Sequence, residues 1–178
     1  MKASLVILAL LLVTASLPAQ SAFPTAWTGT YAGEMKIGNV GQPTALVPVT
    51  FELKELLADS LWSHKMVFDS EQYGKITKDY LLRAASKGDT VSFILDEQNG
   101  IVMDQTLLND CFYGMYTVLG NTYVATLRRL PDGTLLWDLF AAPQSSRKVS
   151  EADAGGAEPI EVEGLRVSLQ QTVFLHRE

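Results

Sequence analysis

Residues 27–37 read WTGTYAGEMKI, a stretch that alternates between two kinds of side chain. Large apolar residues and glycines recur at every second position, and threonine, glutamate and lysine occupy positions between them. The first set is Trp27, Gly29, Tyr31, Gly33, Met35 and Ile37. A period of two places successive side chains on opposite faces of a strand. The stretch therefore predicts a β-strand with one face buried.

Turn-forming residues recur at short intervals through the rest of the chain. Asn99-Gly100 is suited to a two-residue hairpin turn, because both residues tolerate positive φ angles. Pro131-Asp132-Gly133 is suited to a type I turn that ends in a glycine bulge. Each pair of turns encloses a segment of strand length, so we expect sequential antiparallel hairpins.

The segments between these turns also alternate, which predicts about ten strands. The inward positions include Val47, Val49, Phe51, Leu53, Trp62, His64, Met66, Phe68, Tyr80, Leu82, Ala84, Val91, Phe93, Leu95, Ile101, Met103, Tyr113, Met115, Tyr123, Ala125, Leu127, Leu135, Trp137, Leu139, Leu165, Val167, Leu169, Val173 and Leu175. No segment is long enough for a helical crossover. We therefore predict an all-β protein, an antiparallel up-and-down β-barrel of about eight to ten strands.

Two segments depart from this pattern. Residues 52–60 fit a strand and fit equally a short capping helix, because Leu53, Leu56, Leu57 and Leu61 also have helical spacing. Residues 142–159 are rich in serine, glycine and proline and poor in large apolar side chains. They predict a flexible loop before the last strand, which acts either as a lid or as a simple insertion.

The first 21 residues are typical of a cleavable signal peptide. Lys2 precedes an apolar run at residues 5–13, and Ala19 and Ser21 supply small residues before a cleavage site at Ala22. The run is too short to anchor the chain in a membrane. We therefore expect residues 22–178 to form one barrel domain without a membrane anchor.

The composition supports an exported protein. No cysteine lies near Ala22 to carry a lipid, so we expect a periplasmic or secreted protein. Cys111 is the single cysteine of the chain, and an inert buried thiol is the expectation. The chain has 14 Lys and Arg against 20 Asp and Glu, a net charge of −6. That balance argues against a nucleic-acid partner.

The first strand of the barrel domain, Trp27-Thr-Gly29-Thr-Tyr31-Ala-Gly33, and the final Phe174-Leu175-His176-Arg177 resemble the calycin group of lipocalins and fatty-acid-binding proteins. Lipocalins usually carry Gly-x-Trp, and here the order is Trp27-x-Gly29. The resemblance implies that Trp27 closes the base of the barrel. It also implies that Arg177 or Arg166 stacks on the Trp27 ring.

His64 is the most informative candidate for chemistry, because alternation places it on an apolar inner face. An inward histidine can orient a ligand, or it can be a neutral core residue bonded to a tyrosine or a carbonyl group. Resemblance to the nitrobindin type of barrel implies haem, with one inward histidine as the iron ligand. Asp96 and Glu97 face opposite sides of a strand and are interpreted as solvated turn residues.

These features predict a non-catalytic barrel for a small apolar or amphiphilic molecule, with Trp62, His64, Tyr80, Tyr113 and Trp137 lining the cavity. No metal ligands, catalytic set or cofactor motif is recognisable, so the prediction is that the protein is not an enzyme. A second hypothesis is a ligand-free structural or interaction barrel that contacts another protein of the cell envelope. A haem-binding barrel and a small enzyme that uses His64 are two further hypotheses. The sequence alone is compatible with a hollow interior and with a packed interior.

Overall fold

A computed structural model of the protein describes residues 23–71, 74–152 and 160–178. Strands account for 69% of these residues, which confirms the all-β prediction. The predicted signal peptide at residues 1–21 lies outside the described part of the chain.

Thirteen strands are present in the described residues. They are β1 (Gly29–Asn39), β2 (Ala45–Leu53), β3 (Glu55–Leu57), β4 (Leu61–Ser70), β5 (Gly74–Ala84), β6 (Ser92–Asp96), β7 (Val102–Leu108), β8 (Cys111–Val118), β9 (Asn121–Arg129), β10 (Leu135–Pro143), β11 (Lys148–Ala152), β12 (Ile160–Gly164) and β13 (Leu169–Arg177). Helical structure in the described chain is limited to a 3₁₀ turn at Gln144–Ser146. Within the described ranges, no helix has the length and apolar character needed to span a membrane.

The strands form a closed antiparallel barrel. Neighbours in the chain pair with one another from β4 through β10, and β13 pairs with both β10 and β1. The barrel closes because β2 pairs with β4 as well as with β1. Since β2 and β3 both pair with β4, they act as one interrupted strand, and the barrel has ten strands. The predicted up-and-down barrel is confirmed.

The contact between β1 and β13 depends on a residue without a side chain. Gly33 lies so close to β13 that an added Cβ would sit 2.2 Å from the backbone oxygen of Phe174. It would also lie 2.8 Å from a methyl group of Val173. The first and last strands of the barrel therefore approach each other over Gly33.

One end of the barrel is filled by five aromatic rings, which we call the aromatic plug: Phe23, Trp27, Trp62, Phe93 and Phe112. The Phe23 ring centroid lies 4.8 Å from Trp62, 5.1 Å from Phe112 and 5.2 Å from Phe93, in each case edge to face. This geometry suits aromatic pairs, whose ring edges are positive and whose faces are negative. The turn that carries Phe23 and Trp27 thus closes this end of the barrel.

Arg177 fastens that turn to the last strand. Its guanidinium donates to the backbone oxygens of Thr28 at 2.7 Å and Ala26 at 3.2 Å, and to the Tyr31 hydroxyl at 3.1 Å. The guanidinium carbon lies 5.5 Å from the centre of the Tyr31 ring. The resemblance correctly implied that Trp27 is buried at the base. The stacking partner of Arg177 is Tyr31 instead of Trp27, and Arg166 lies in an exposed connection.

Residues 52–60 form no helix. The strand β2 continues to Leu53, and the backbone of Lys54 stays paired with Ser63 before β3 begins. Leu56 and Leu57 are exposed, so the leucines whose spacing suggested a helix do not form one buried face. Continued pairing with β4 provides hydrogen-bond partners for backbone groups of this segment. The register of that pairing shifts between Glu55 and Leu57, as in a β-bulge.

Part of the predicted flexible loop at residues 142–159 is ordered into a hairpin. Residue 143 ends β10, and β11 pairs with β12 as a separate two-stranded sheet whose residues are all exposed. Valine and isoleucine in this segment favour strands although the composition around them is typical of loops. Residues 153–159 lie outside the described part of the chain.

We expect Gly33→Ala to destabilise the barrel by about 2 kcal/mol, because the new methyl group overlaps the β13 backbone. Urea unfolding measures the change. Gly38→Ala on the same strand is the control, since an added Cβ there has no neighbour within 4 Å. Equal stability of the two variants would contradict the close approach of β1 and β13.

Candidate functional site: a cavity in the barrel

The half of the barrel away from the aromatic plug contains a cavity of about 300 Å³. Its apolar wall includes Met66, Phe68, Leu82, Leu95, Leu127, Leu139 and Trp137, and its polar residues include His64, Tyr80, Glu97, Gln105, Tyr116 and Tyr123. Small-molecule sites in proteins have volumes of about 300 to 1,000 Å³ and combine apolar walls with a few polar groups. The interior is thus packed at one end and hollow at the other.

Small inner residues on two neighbouring strands make room for other groups inside the barrel. Gly114 of β8 and Ala125 of β9 are directly paired, and Ala125 lines the cavity. The Gln105 amide lies over Gly114, since an added Cβ at Gly114 would be 2.3 Å from the Gln105 Nε2.

His64 lies in the cavity wall between two aromatic rings. Its ring is edge to face with Phe51, with centroids 4.8 Å apart, and parallel to Tyr80 at 6.5 Å. The Nδ1 atom is buried and has no hydrogen-bond partner in the described part of the chain. Burial lowers the pKa of His64 to about 4, so the imidazole is neutral at pH 7.

Tyr80 and Glu97 form a hydrogen-bonded pair beside His64. The Tyr80 hydroxyl donates to Glu97 Oε1 at 2.8 Å, and the Asn99 amide donates to Oε2 at 3.2 Å. Burial raises the pKa of the Tyr80 phenol, and the bond to Glu97 raises it further. Glu97 therefore belongs to the cavity, which corrects its interpretation as a solvated turn residue. Asp96 does have a turn role, accepting a hydrogen bond from the Gln98 backbone.

Tyr116 and Tyr123 form a stacked pair on the adjacent strands β8 and β9. Their ring centroids lie 5.4 Å apart, with an angle of 15° between the planes. Burial raises the pKa of Tyr116, with a smaller contribution from the charge of Glu97. The inward position of Tyr123 agrees with its strand alternation, whereas Tyr116 was not predicted to face the cavity.

Of the five predicted lining residues, the structure brings His64, Tyr80 and Trp137 together in the cavity wall. Trp62 points into the barrel, but it is fully enclosed in the aromatic plug. Tyr113 was placed on the wrong face. It lies on the outside of the barrel, where its hydroxyl accepts a hydrogen bond from Arg128 at 3.0 Å.

The register of one hairpin explains the error at Tyr113. Because Asn109 and Asp110 form a two-residue turn with positive φ angles, Leu107 of β7 pairs with Phe112 of β8. Met103 and Leu107 are four residues apart on β7, so their side chains point to the same side of the sheet, the inside of the barrel. Because paired residues also share a side, Phe112 points inward as well. Adjacent aromatic residues made the alternation along β8 ambiguous, and the turn could have resolved it.

No group of three or more His, Cys, Asp or Glu side chains that could hold a metal ion occurs in the described ranges. Cys111 is buried, as expected, and burial raises the pKa of its thiol.

Comparisons with known proteins identify the fold. No protein-family model and no curated protein sequence matches the chain. The solved structure of an S-type phycobiliprotein lyase, CPES, from Guillardia theta is similar, with 10% identity and a TM-score of 0.60. The alignment covers 86% of this chain and 89% of that one. A second solved structure, Rv2717c from M. tuberculosis, has 11% identity, coverage of 86% and 94%, and a TM-score of only 0.42. The likeness to the Guillardia theta protein concerns the fold, a closed antiparallel β-barrel.

The comparison with the Guillardia theta protein corrects one prediction. The chain was predicted not to be an enzyme, because it lacks a recognisable catalytic set. A protein that is named a lyase has this fold, which contradicts that prediction. At 10% identity the likeness concerns the fold, and functions are built on folds by particular sites. The lack of a motif therefore gives no ground for excluding catalysis.

We expect the NMR signals of His64 to titrate near pH 4. Between about pH 6.5 and pH 4 the unfolded chain then takes up a proton that the folded protein does not. The free energy of unfolding should therefore decrease as the pH falls through this window, by at most about 3 kcal/mol. His64→Gln identifies the signals and should remove this part of the pH dependence. Titration of His64 near pH 6.5 would contradict a desolvated ring.

Proposed function

We propose that the protein is exported and binds a small apolar or amphiphilic molecule in the barrel cavity. The observation that carries the proposal is a hollow of about 300 Å³ beside an aromatic plug whose tryptophan rings are buried. A barrel that served only as a structural or interaction module could fill both halves with side chains. The hollow half favours a binding barrel over the ligand-free hypothesis.

The lining supports an amphiphilic ligand. Apolar side chains supply most of the wall, and the hydroxyl, amide and carboxylate groups of Tyr116, Gln105 and Glu97 offer polar contacts. Tyr116 lies on β8 and Gln105 lies on β7, and Glu97 directly follows the last residue of β6. The rigid part of the fold therefore positions all three side chains. Such a wall binds the body of a ligand by apolar burial and orients it by hydrogen bonds.

We expect Ala125→Phe to weaken binding of the neutral fluorescent probe N-phenyl-1-naphthylamine at least tenfold, because the new ring occupies the cavity. Val124→Phe is the matched control, since Val124 is the preceding residue of β9 and is exposed on the outer surface. Fluorescence titration measures binding, and thermal unfolding confirms that both variants are folded. Unchanged binding by Ala125→Phe would show that the probe does not use the cavity.

Export predicts a defined N-terminus. We expect protein isolated from the envelope or medium of its native host to begin at Ala22, as determined by N-terminal sequencing. Native mass spectrometry of the same sample should show mass in excess of the polypeptide from a bound molecule. An intact Met1 in the cell interior would contradict export, and repeated preparations of bare polypeptide would argue against tight binding.

A further inference from the structure

Glu97 places a negative charge in the cavity wall without a cationic partner in the described part of the chain. Its two oxygens accept hydrogen bonds from Tyr80 and Asn99, both neutral. The ion pairs of the described residues are Lys54–Glu52, Lys65–Asp79 and Arg147–Glu163, and Glu97 takes part in none of them. A carboxylate that is partly withdrawn from water gains more from a nearby cation than an exposed carboxylate does.

Four aromatic side chains line the same cavity. Tyr80, Tyr116, Tyr123 and Trp137 all line the cavity, and Tyr80 is bonded directly to Glu97. The Tyr80 and Tyr116 phenols are protonated at neutral pH, and burial raises the pKa of both, so their rings carry no formal charge. The face of a neutral aromatic ring attracts a cation, and the attraction grows when water is excluded.

A groove next to the cavity is also acidic. An outer groove shares Phe68, Lys78 and Gln171 with the cavity and runs along the ends of β1, β2, β4 and β5. Glu34, Asp69 and Glu71 line this groove. Among the described residues of cavity and groove, Lys78 is the single cation, against these three carboxylates and Glu97. A cleft lined by one sign of charge concentrates ligands of the opposite sign.

We infer that the ligand is a small organic cation, with an apolar or aromatic body and a protonated amine or similar ammonium group. This inference rests on the proposed binding function and names the class of ligand. The ammonium group lies against Glu97 and the tyrosine faces, and the body fills the apolar wall formed by Leu95, Leu127 and Leu139.

Lys78 could instead serve an anionic ligand, and the geometry argues against it. Lys78 is exposed and lines both the cavity and the groove, where it shares the groove with Glu34, Asp69 and Glu71, whereas Glu97 is half-buried and lines the cavity alone. An anion inside the cavity would share the space with the Glu97 carboxylate and be repelled by it.

Three probes with the same ring separate these charges: 2-(1-naphthyl)ethylamine, 2-(1-naphthyl)ethanol and 1-naphthaleneacetate. At pH 7 the first is a cation, the second is neutral and the third is an anion. Isothermal titration calorimetry should show the amine binding at least tenfold more tightly than the alcohol, and the acetate binding most weakly. Ala125→Phe should abolish binding of all three, which places them in the cavity.

Glu97→Gln should remove the preference for the amine and leave affinity for the alcohol within twofold, because the amide oxygen still accepts from Tyr80. Glu161→Gln on β12, outside the barrel, is the control and should bind like the wild type. Lys78→Gln changes an exposed residue and provides a second test if Glu97→Gln does not fold. It should preserve or increase the preference for the amine.

Equal cavity binding of all three probes would uphold the binding function and overturn the inference of a cation. Tightest binding of the acetate, lost in Lys78→Gln, would overturn it in favour of an anion. Failure of every probe to bind in the cavity would count against both proposals.

Discussion

The width of a ten-stranded barrel is the constraint on which the rest of the structure depends. An eight-stranded barrel is just wide enough for its own inward side chains to fill, and two more strands enlarge the interior. In this protein Phe23, which precedes the first strand, inserts its ring among Trp62, Phe93 and Phe112. A residue from outside the strands thus fills the extra width at one end. No comparable insertion from the described chain fills the other half, and there the cavity remains.

The packed end also joins the two ends of the described chain. Arg177, near the end of the last strand, donates to the backbone of the turn that carries Trp27, and Tyr31 donates its hydroxyl hydrogen to the Trp27 carbonyl at 2.7 Å. These bonds satisfy backbone groups that the ladders leave unpaired. The closed barrel, the aromatic plug and the turn that carries Trp27 therefore stabilise one another. The strands that line the cavity are held in place by these contacts at their opposite ends. The contacts that close the barrel and the residues that line the cavity are thus separated along the barrel axis.

Much of this architecture follows from the sequence, because alternation and turn residues act locally. The strands, their antiparallel order and the inward position of His64 are of this kind. The failures occur where local signals balance. Phe112 and Tyr113 are both aromatic, so only the register set by the preceding turn decides which of them faces inward. Glu97 is charged and next to a turn, which suggests an exposed residue. It points inward because it is an even number of residues from the inward Phe93. Whether the interior is hollow depends on side-chain volumes summed over ten strands, which no local pattern contains.

Polar groups set in a mostly apolar wall distinguish the hollow half from a purely apolar packing defect. The buried His64 Nδ1 has no hydrogen-bond partner among the described residues, and Glu97 has no ion-pair partner among them; both residues line one cavity. The indole nitrogens of Trp27 and Trp62 also lack partners among the described residues, but they are enclosed in the packed plug. Buried polar groups without partners lower stability, and native proteins contain few of them. A cavity left by imperfect packing alone would be lined by apolar atoms and would stay dry. A ligand that supplies partners to the cavity residues recovers part of this cost and stabilises the folded barrel by mass action. In the proposed binding function, the polar residues of the cavity wall are the ones that give the occupied barrel its selectivity.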